Sequence, residues 1–521
     1  MVQTASMEEH ASIAPDADRT LVDALRLRLE ADSGQPVRLV ETHISWVLLT
    51  ATRAYKLKKP VRLSFVDFTT LAARKHFCDE EVRLNRVLAP DLYLGVEPVC
   101  GSRDVPHIRG VGEPIDHVVC MKRFPDGALL GELLAAGQLA AAELDALARR
   151  LASFHANAPV ADSLSLHGAP EQVGQSVMNA LDQLDLHGNI ARIAPLRCWV
   201  VQEAQRLHMA WLQRQRNGAV RECHGDLHLA NVVRVDGEWL PFDRIEFDPA
   251  LRWIDVMSDV AFLVMDLKAH GRADLAFRFL DVYLQHRGDH GGLTVLRFYE
   301  VYRALVRALV ASLRKGPPAG CEAPMVPDYL ACAEGLVRSA GAPRLLITHG
   351  FSGSGKSTVA GQLLEVAGAI RIRSDVERKR LFGLGVLERS AARGLDIYTP
   401  EATRRTFARL CEVARIALQA GYPVILDAAF LRHAERVAFR ALAASLRVPF
   451  AILDVRAQGP QLRHRLAARQ ADASEADLEV LERQLAFHEA LDADELAVTI
   501  AVDTQERVDA EQLLARWLAV R

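Results

Sequence analysis

Apolar residues recur at two periods along this chain, and the changes of period mark its organisation. Residues 20–31 (TLVDALRLRLEA) carry apolar positions at helical spacing. From Val37 the period shortens. VRLVETHISWVLLT and AYKLKKPVRLSFVDF alternate β-branched and apolar residues, which predicts strands in a hairpin or meander. FTTLAARKHFCDEEVRLNRVLAP returns to helical spacing, opened by Thr and closed by Ala-Pro. VEPVC and HVVCMKRF read as two more strands. Residues 128–215 are mostly helical, short strands flank a turn at DGEW (236–239), and residues 251–313 are again helical.

A break follows. Arg314–Asp328 packs four prolines and two glycines into one stretch, before a helix at 329–339. Beyond it, short apolar strands (LLIT, AIRI, PVIL, FAILDV, LAVTIAV) alternate with helices, the pattern of a parallel sheet. The expected organisation is a flexible tail at 1–19, a first domain at 20–313, a linker and helix at 314–340, and a second domain at 341–521.

Composition narrows the function classes. Half of the 521 residues are hydrophobic and a quarter charged, as in ordinary globular chains. With 63 Lys+Arg against 66 Asp+Glu the net charge is −3, so bulk electrostatics favours neither nucleic acid nor an acidic membrane as partner. The eight cysteines form no C-x-x-C pair, which argues against zinc ribbons and thioredoxin-type sites and fits a reducing compartment. The polar, acidic start is not a secretory signal, and no run of ~20 apolar residues predicts a membrane span. The expected location is the cytoplasm.

The first chemical motif is GFSGSGKST, Gly350 to Thr358, a full G-x-x-x-x-G-K-[ST] match. Its glycines, Gly350, Gly353 and Gly355, let the backbone curl so that successive N–H groups, at Ser352 and Ser354 among others, converge on one anion. Lys356 adds a point charge over the outer phosphates, Ser357 supplies a hydroxyl to Mg²⁺, and the helix that begins with Thr358 aims its N-terminal dipole at the phosphates. RLLIT precedes the motif and TVAGQLLEVAG follows it, as a phosphate loop requires. Asp375 ends the next strand, over the expected phosphate site, with Arg378 three residues on and facing the same way. Asp427 ends VILD, the position of a carboxylate that holds Mg²⁺ or its water. Arg463, Arg465 and Arg469 fall on one predicted helix, where arginines can close over ATP as a lid.

Residues 343–521 thus resemble the small P-loop kinases that include gluconate kinase, polynucleotide kinase and the zeta-toxin group. The resemblance implies Asp375 as substrate-side base or orienter and Arg378 as a substrate contact, with Lys356 acting on the transferred phosphoryl group. Such kinases phosphorylate small hydroxyl compounds or nucleic-acid ends.

The second motif is CHGDLHLANVV, with His224, Asp226, His228 and Asn231 at the H-x-D-x-x-x-x-N spacing of a kinase-like catalytic loop. Asp226 suits the acceptor proton, and Asn231 and Asp243, the latter in PFDRIEFD, suit metal. Together these segments resemble the aminoglycoside phosphotransferase and choline-kinase-like family over roughly residues 37–313. The resemblance implies a small N-lobe sheet, a hinge and a helical C-lobe. Within it, AYKLKKP fits the strand of the ATP-phosphate lysine. Lys56 and Lys58, two apart, share one strand face, and either fits the role. Glu81 fits the ion-pair partner, with Glu80 as competitor. Asp255 and Asp259 fit the later aspartate that braces the loop. No G-x-G-x-x-G precedes the lysine strand, so HISWVLLTATR, through Ser45, takes its place; no acidic insert for a polycationic antibiotic stands out.

The sequence therefore predicts an α/β and α+β chain: a two-lobed protein-kinase-like domain followed by a P-loop α/β/α domain with a parallel sheet. The expected function is bifunctional phosphoryl transfer from ATP, with Mg²⁺, to small-molecule hydroxyl acceptors. The alternatives are a regulatory protein whose N-terminal domain binds nucleotide without transfer, and a polynucleotide 5′-hydroxyl kinase.

Overall fold

The alternation read in residues 37–58 becomes the centre of an antiparallel sheet. The structure, a computed structural model, describes residues 16–63, 66–162, 165–186, 188, 190–313, 326–339, 342–468 and 473–520. The residues divide into two compact units. One holds residues up to Leu139 with Pro159–Asp162 and Val220–Asp255; the other holds Ala140–Ala158, Ser163–Ala219 and Val256–Arg521. These limits differ from the domain bounds expected above.

In the first unit six strands pair in the order Arg38–Glu41, Ser45–Leu49, Arg53–Lys58, Pro114–Lys122, Tyr93–Gly101, Pro106–Ile108, antiparallel throughout. Period two gives the sheet two faces. Trp46, Leu48, Leu57, Val99 and Val118 pack with Leu21, Val22 and Leu25 of the helix Asp16–Ser33. That helix takes in residues 16–19, which the sequence reading assigned to a tail; residues 1–15 of that tail lie outside the described residues. On the other face Ala54, Val119 and Met121 meet Cys78 and Val82 of the helix Leu71–Asn85. Lys56 and Lys58 share this second face.

Thr70 caps the helix Leu71–Asn85, its Oγ1 accepting from Ala73 N at 3.1 Å. The helix stops short of Ala89-Pro90 because Leu88 N and Ala89 N both turn back to Asn85 O. The DGEW turn joins the hairpin Val232–Val235 with Glu238–Pro241, and Asp236 and Gly237 both take the left-handed conformation that such a two-residue turn demands. Two short strands escaped the sequence reading, Pro106–Ile108 and Trp253–Asp255. The latter sits in a stretch expected to be helical, and pairing with Val220–Glu222 overrides the local preference.

The second unit joins a helical layer to a parallel sheet. Ala141–Asn157, Pro170–Leu186, Ile190–Arg216, Val256–Ala269, Ala273–Arg287, Leu293–Leu313 and Tyr329–Arg338 make the helical part. The sheet order is Ile370–Arg373, Val424–Asp427, Leu345–His349, Phe450–Arg456, Thr499–Asp503, with every pair parallel. All five strands expected from the apolar runs are present. Leu346, Ile425, Leu453, Leu363 and Trp517 centre its core. Ion pairs tie the helical layer to this part: Arg278 to Glu365 of the helix Lys356–Ala367 at 2.9 Å, and Asp281 to Arg371 of the strand Ile370–Arg373 at 2.6 Å. No helix among the described residues is long and apolar enough to cross a membrane.

Candidate functional site

In the second unit the strand Leu345–His349 runs into the glycine-rich loop, and the helix Lys356–Ala367 leaves it. Gly350 has φ 138°, and a Cβ there would stand 2.4 Å from Val455 O, so only glycine fits. Gly355, left-handed at φ 94°, starts the helix. Lys356 Nζ donates to Gly350 O at 2.9 Å and Phe351 O at 2.7 Å, folded over its own loop.

A cavity of about 630 Å³ opens beside this loop. Ser352, Gly353, Gly355, Lys356, Ser357 and Thr358 line one side; Asp427 lines it from the end of the strand Val424–Asp427, and Asp375 and Arg378 from the helix Ser374–Leu381, so that Asp375 opens this helix rather than ending the strand Ile370–Arg373. Gly350 and Ser354 are not on the wall; they shape the turn behind it, and Ser354 is buried. Asp427 Oδ2 is buried without a hydrogen-bond donor, with Arg373 Nε 3.5 Å away. Arg378 Nη1 donates to Ile397 O at 2.9 Å and Thr403 Oγ1 at 3.2 Å, and its guanidinium lies 5.0 Å from the Tyr398 ring centre. Burial lowers its pKa against the pull of Asp375.

Of the three lid candidates, Arg465 lines the cavity and is tied to Thr504 Oγ1 at 2.8 Å. Arg463 instead pairs with Glu482 at 2.8 Å and is half exposed. Arg469 lies outside the described residues. Sequence reasoning missed Tyr398, Phe407, Phe430 and Glu435 on the far wall. Phe430 holds a strained φ of 48°, three residues after Asp427, which no motif announces.

In the first unit the lysine strand, the helix Leu71–Asn85 and the segment after the Glu238–Pro241 strand converge. Glu81 Oε1 accepts from Lys56 Nζ at 2.9 Å and its Oε2 from Lys58 Nζ at 2.7 Å. Glu80 pairs with Arg83 and Arg252 instead. The two lysines then part: Lys56 Nζ reaches Asp243 Oδ1 at 2.6 Å, while Lys58 Nζ pairs with Glu246. Lys58 is fully buried, whereas Lys56 keeps 13% of its side chain exposed. Burial alone would raise the Glu81 carboxyl, but the two ammonium groups outweigh it and hold it at about 2.

Gly225 makes the sharp turn into the segment that carries Asp226 and Asn231, at φ 89°; a Cβ there would lie 2.7 Å from Leu251 O. Asn231 Nδ2 donates to Asp226 O at 2.9 Å and Asp226 Oδ2 at 3.0 Å, and His228 Nε2 stands 3.4 Å from the same carboxylate. Phe242 N bonds Asn231 O at 3.0 Å, so Asn231 and Asp243 meet across one hairpin. Asp243 sits at φ 62°, its N–H donating to Tyr93 Oη at 3.1 Å. Ser45 is buried, in register with Lys58. Asp255 pairs in register with Val220. In the second unit Asp259 Oδ2 lies 3.3 Å from His155 Nε2. Glu246, Tyr93 and the buried Arg244, which donates to Leu84 O and Glu222 O, were not foreseen.

An uncharacterized protein of Mycobacterium tuberculosis (strain ATCC 25618 / H37Rv) is 31% identical over 450 residues, covering 84% of this chain and 88% of that protein. This chain belongs to the same family. Within that family framework, residues 345–491 match the AAA domain model, a stretch that contains the whole glycine-rich loop, Asp375, Asp427 and Arg465. Two solved structures each align with part of this chain. A gluconokinase from Sinorhizobium meliloti 1021 is 22% identical, covers 34% of this chain and 91% of its own, and has a TM-score of 0.26. A choline kinase from Cryptosporidium parvum Iowa II is 11% identical, covers 62% and 93%, and has a TM-score of 0.36.

Proposed function

We propose that this chain is an ATP-dependent phosphotransferase with two separate sites, each passing the γ-phosphoryl group of ATP to a hydroxyl of a small molecule in the cytoplasm. The observation that carries the reading is the cavity of about 630 Å³, whose one wall is a phosphate loop while the other offers an acid, Asp375, and a guanidinium, Arg378. The AAA-domain match over the same residues supports nucleotide binding there.

At this site the loop N–H groups and the helix N-terminus receive phosphate oxygens. Lys356 exchanges its two loop carbonyls for them, and Arg465 closes from the side. Asp375 takes the proton of the acceptor hydroxyl, and Arg378 holds the acceptor. The donor set of Ser357 and the unsatisfied Asp427 Oδ2 fits Mg²⁺, which takes oxygen ligands and neutralises phosphate charge when bound.

At the N-terminal site Lys56 is the phosphate lysine, because Lys58 is enclosed between Glu81 and Glu246. Asp226 takes the acceptor proton, oriented by Asn231. Asn231 and Asp243, an amide and a carboxylate meeting across one hairpin, are the oxygen donors that suit Mg²⁺. A second reading, nucleotide binding without transfer at this site, draws on the Lys56–Asp243 pair, which joins the phosphate lysine to a metal ligand.

The test is incubation of the chain with labelled ATP and a metabolite pool, with mass detection of products, repeated for Asp226→Asn and Asp375→Asn. Two products are expected, each lost with one substitution. Absence of any labelled product with the unaltered chain would overturn the reading.

A further inference from the structure

A second cavity, of about 760 Å³, lies in the same unit as the phosphate loop but at the opposite end of its sheet. Arg344 stands just before the strand Leu345–His349, Gly368 just before Ile370–Arg373, and Tyr422 just before Val424–Asp427. These strands are parallel, and the phosphate loop, Asp375 and Asp427 lie at their other ends. Helices of the helical layer supply the facing wall.

The lining combines apolar surface with three cations and two carboxylates, Glu300 and Asp328, the latter paired with Arg192 at 3.0 Å. Phe277, Tyr422 and Trp517 present their rings, and Lys268, Arg297 and Arg344 their cations. Lys268 is neutralised by Glu300 at 2.6 Å. Arg297 lies over Tyr422, 5.4 Å from its ring centre, and Arg344 over Trp517 at 5.9 Å; among the described residues neither meets a carboxylate. Arg344 is nine-tenths buried, with 9% of its surface exposed. Its Nη1 donates to Trp517 O at 2.6 Å and its Nε has no partner. Burial lowers its pKa. The Tyr422 hydroxyl is likewise buried without a partner. A desolvated guanidinium is costly until a negative group compensates it, and the cavity is the open space on which it borders.

We propose that this cavity is a binding site for a small organic anion with an aromatic or branched apolar body. The anionic group takes Arg344 and Arg297, and the body lies against Phe277, Tyr422 and Trp517. The site is separate from both proposed phosphoryl-transfer sites, and the inference does not depend on their chemistry.

The experiment is fluorescence titration of the full chain with 1-anilinonaphthalene-8-sulfonate, an aromatic anion, and with the neutral N-phenyl-1-naphthylamine. The unaltered chain, Arg344→Met and Arg297→Met are compared. A charged hydrogen bond contributes about 1.5–3 kcal/mol, so each variant is expected to weaken the anionic probe about tenfold or more. The neutral probe should change less than about twofold. If Arg344→Met lowers the melting temperature sharply, Arg297→Met, which removes only a half-buried stacked cation, carries the test. Saturable anionic-probe binding that Arg297→Met leaves unchanged, or no saturable binding in the unaltered chain, would overturn the proposal.

Discussion

The two phosphate-type constellations balance their charge in opposite ways. In the N-terminal one, both lysines are bridged by carboxylates: Lys56 between Glu81 and Asp243, Lys58 between Glu81 and Glu246. In the C-terminal one, Lys356 rests on the carbonyls of its own loop, and Arg378 on a carbonyl, a hydroxyl and a ring. An arriving phosphate would replace backbone carbonyls on Lys356 and would compete with the Asp243 carboxylate for Lys56. The glycine-rich loop is built locally, from the nine consecutive residues Gly350 to Thr358, whereas the lysine–carboxylate cluster is assembled from segments that tertiary structure alone brings together.

The sharpest way to break this comparison is through stability. Lys58→Met leaves Glu81 and Glu246 facing each other in the interior, and removing one partner of a buried pair costs about 3–5 kcal/mol. Denaturant unfolding should show that loss, whereas Lys56→Met, at the more exposed position, should cost less and act chiefly on nucleotide affinity. Equal destabilisation by the two would erase the distinction between them.

Next is Lys356→Ala. Loss of one preorganised charge-stabilising donor typically costs about 10²–10³ in kcat. Single-turnover transfer at the C-terminal site should fall by about that factor, and N-terminal transfer should not change. Asp226→Asn is the mirror case: it is close in shape, removes the proton acceptor, and should lower N-terminal transfer by on the order of 10²-fold with nucleotide Kd unaltered. Unchanged N-terminal transfer would remove Asp226 from the proposed chemistry.

The smallest effect concerns acid. Glu81 titrates at about 2 when folded against an ordinary 4.5, because Lys56 and Lys58 outweigh its burial. A depressed carboxylate contributes stability that is present above its unfolded value and lost as pH falls toward its folded one. The contribution of Glu81 should therefore fade from about pH 4.5 down to about pH 2, and Glu81→Gln should flatten that limb of the stability profile.

The same contrast explains what the sequence disclosed. Gly350 to Thr358 is a contiguous motif whose backbone needs are written in its glycines, and the strands around it are apolar runs of ordinary length. The spacing of two put Lys56 and Lys58 on one strand face, while Glu81 as ion-pair partner came from the family resemblance, with Glu80 as competitor. Glu246, Tyr93, Tyr398 and Phe430 were not legible, because each acts through a neighbour remote in sequence. The strand Trp253–Asp255 is three residues long and exists only by pairing with Val220–Glu222. Arg463 and Arg465 look equivalent on a helix, yet one meets Glu482 and the other the glycine-rich loop.

The central claim is that one chain carries two separate nucleotide sites. Calorimetric titration of the full chain with a non-hydrolysable ATP analogue and Mg²⁺ tests it most directly. Two sites per chain are predicted, one removed by Lys356→Ala and the other weakened by Lys56→Met. A single site, abolished by Lys356→Ala and indifferent to Lys56→Met, would contradict the account.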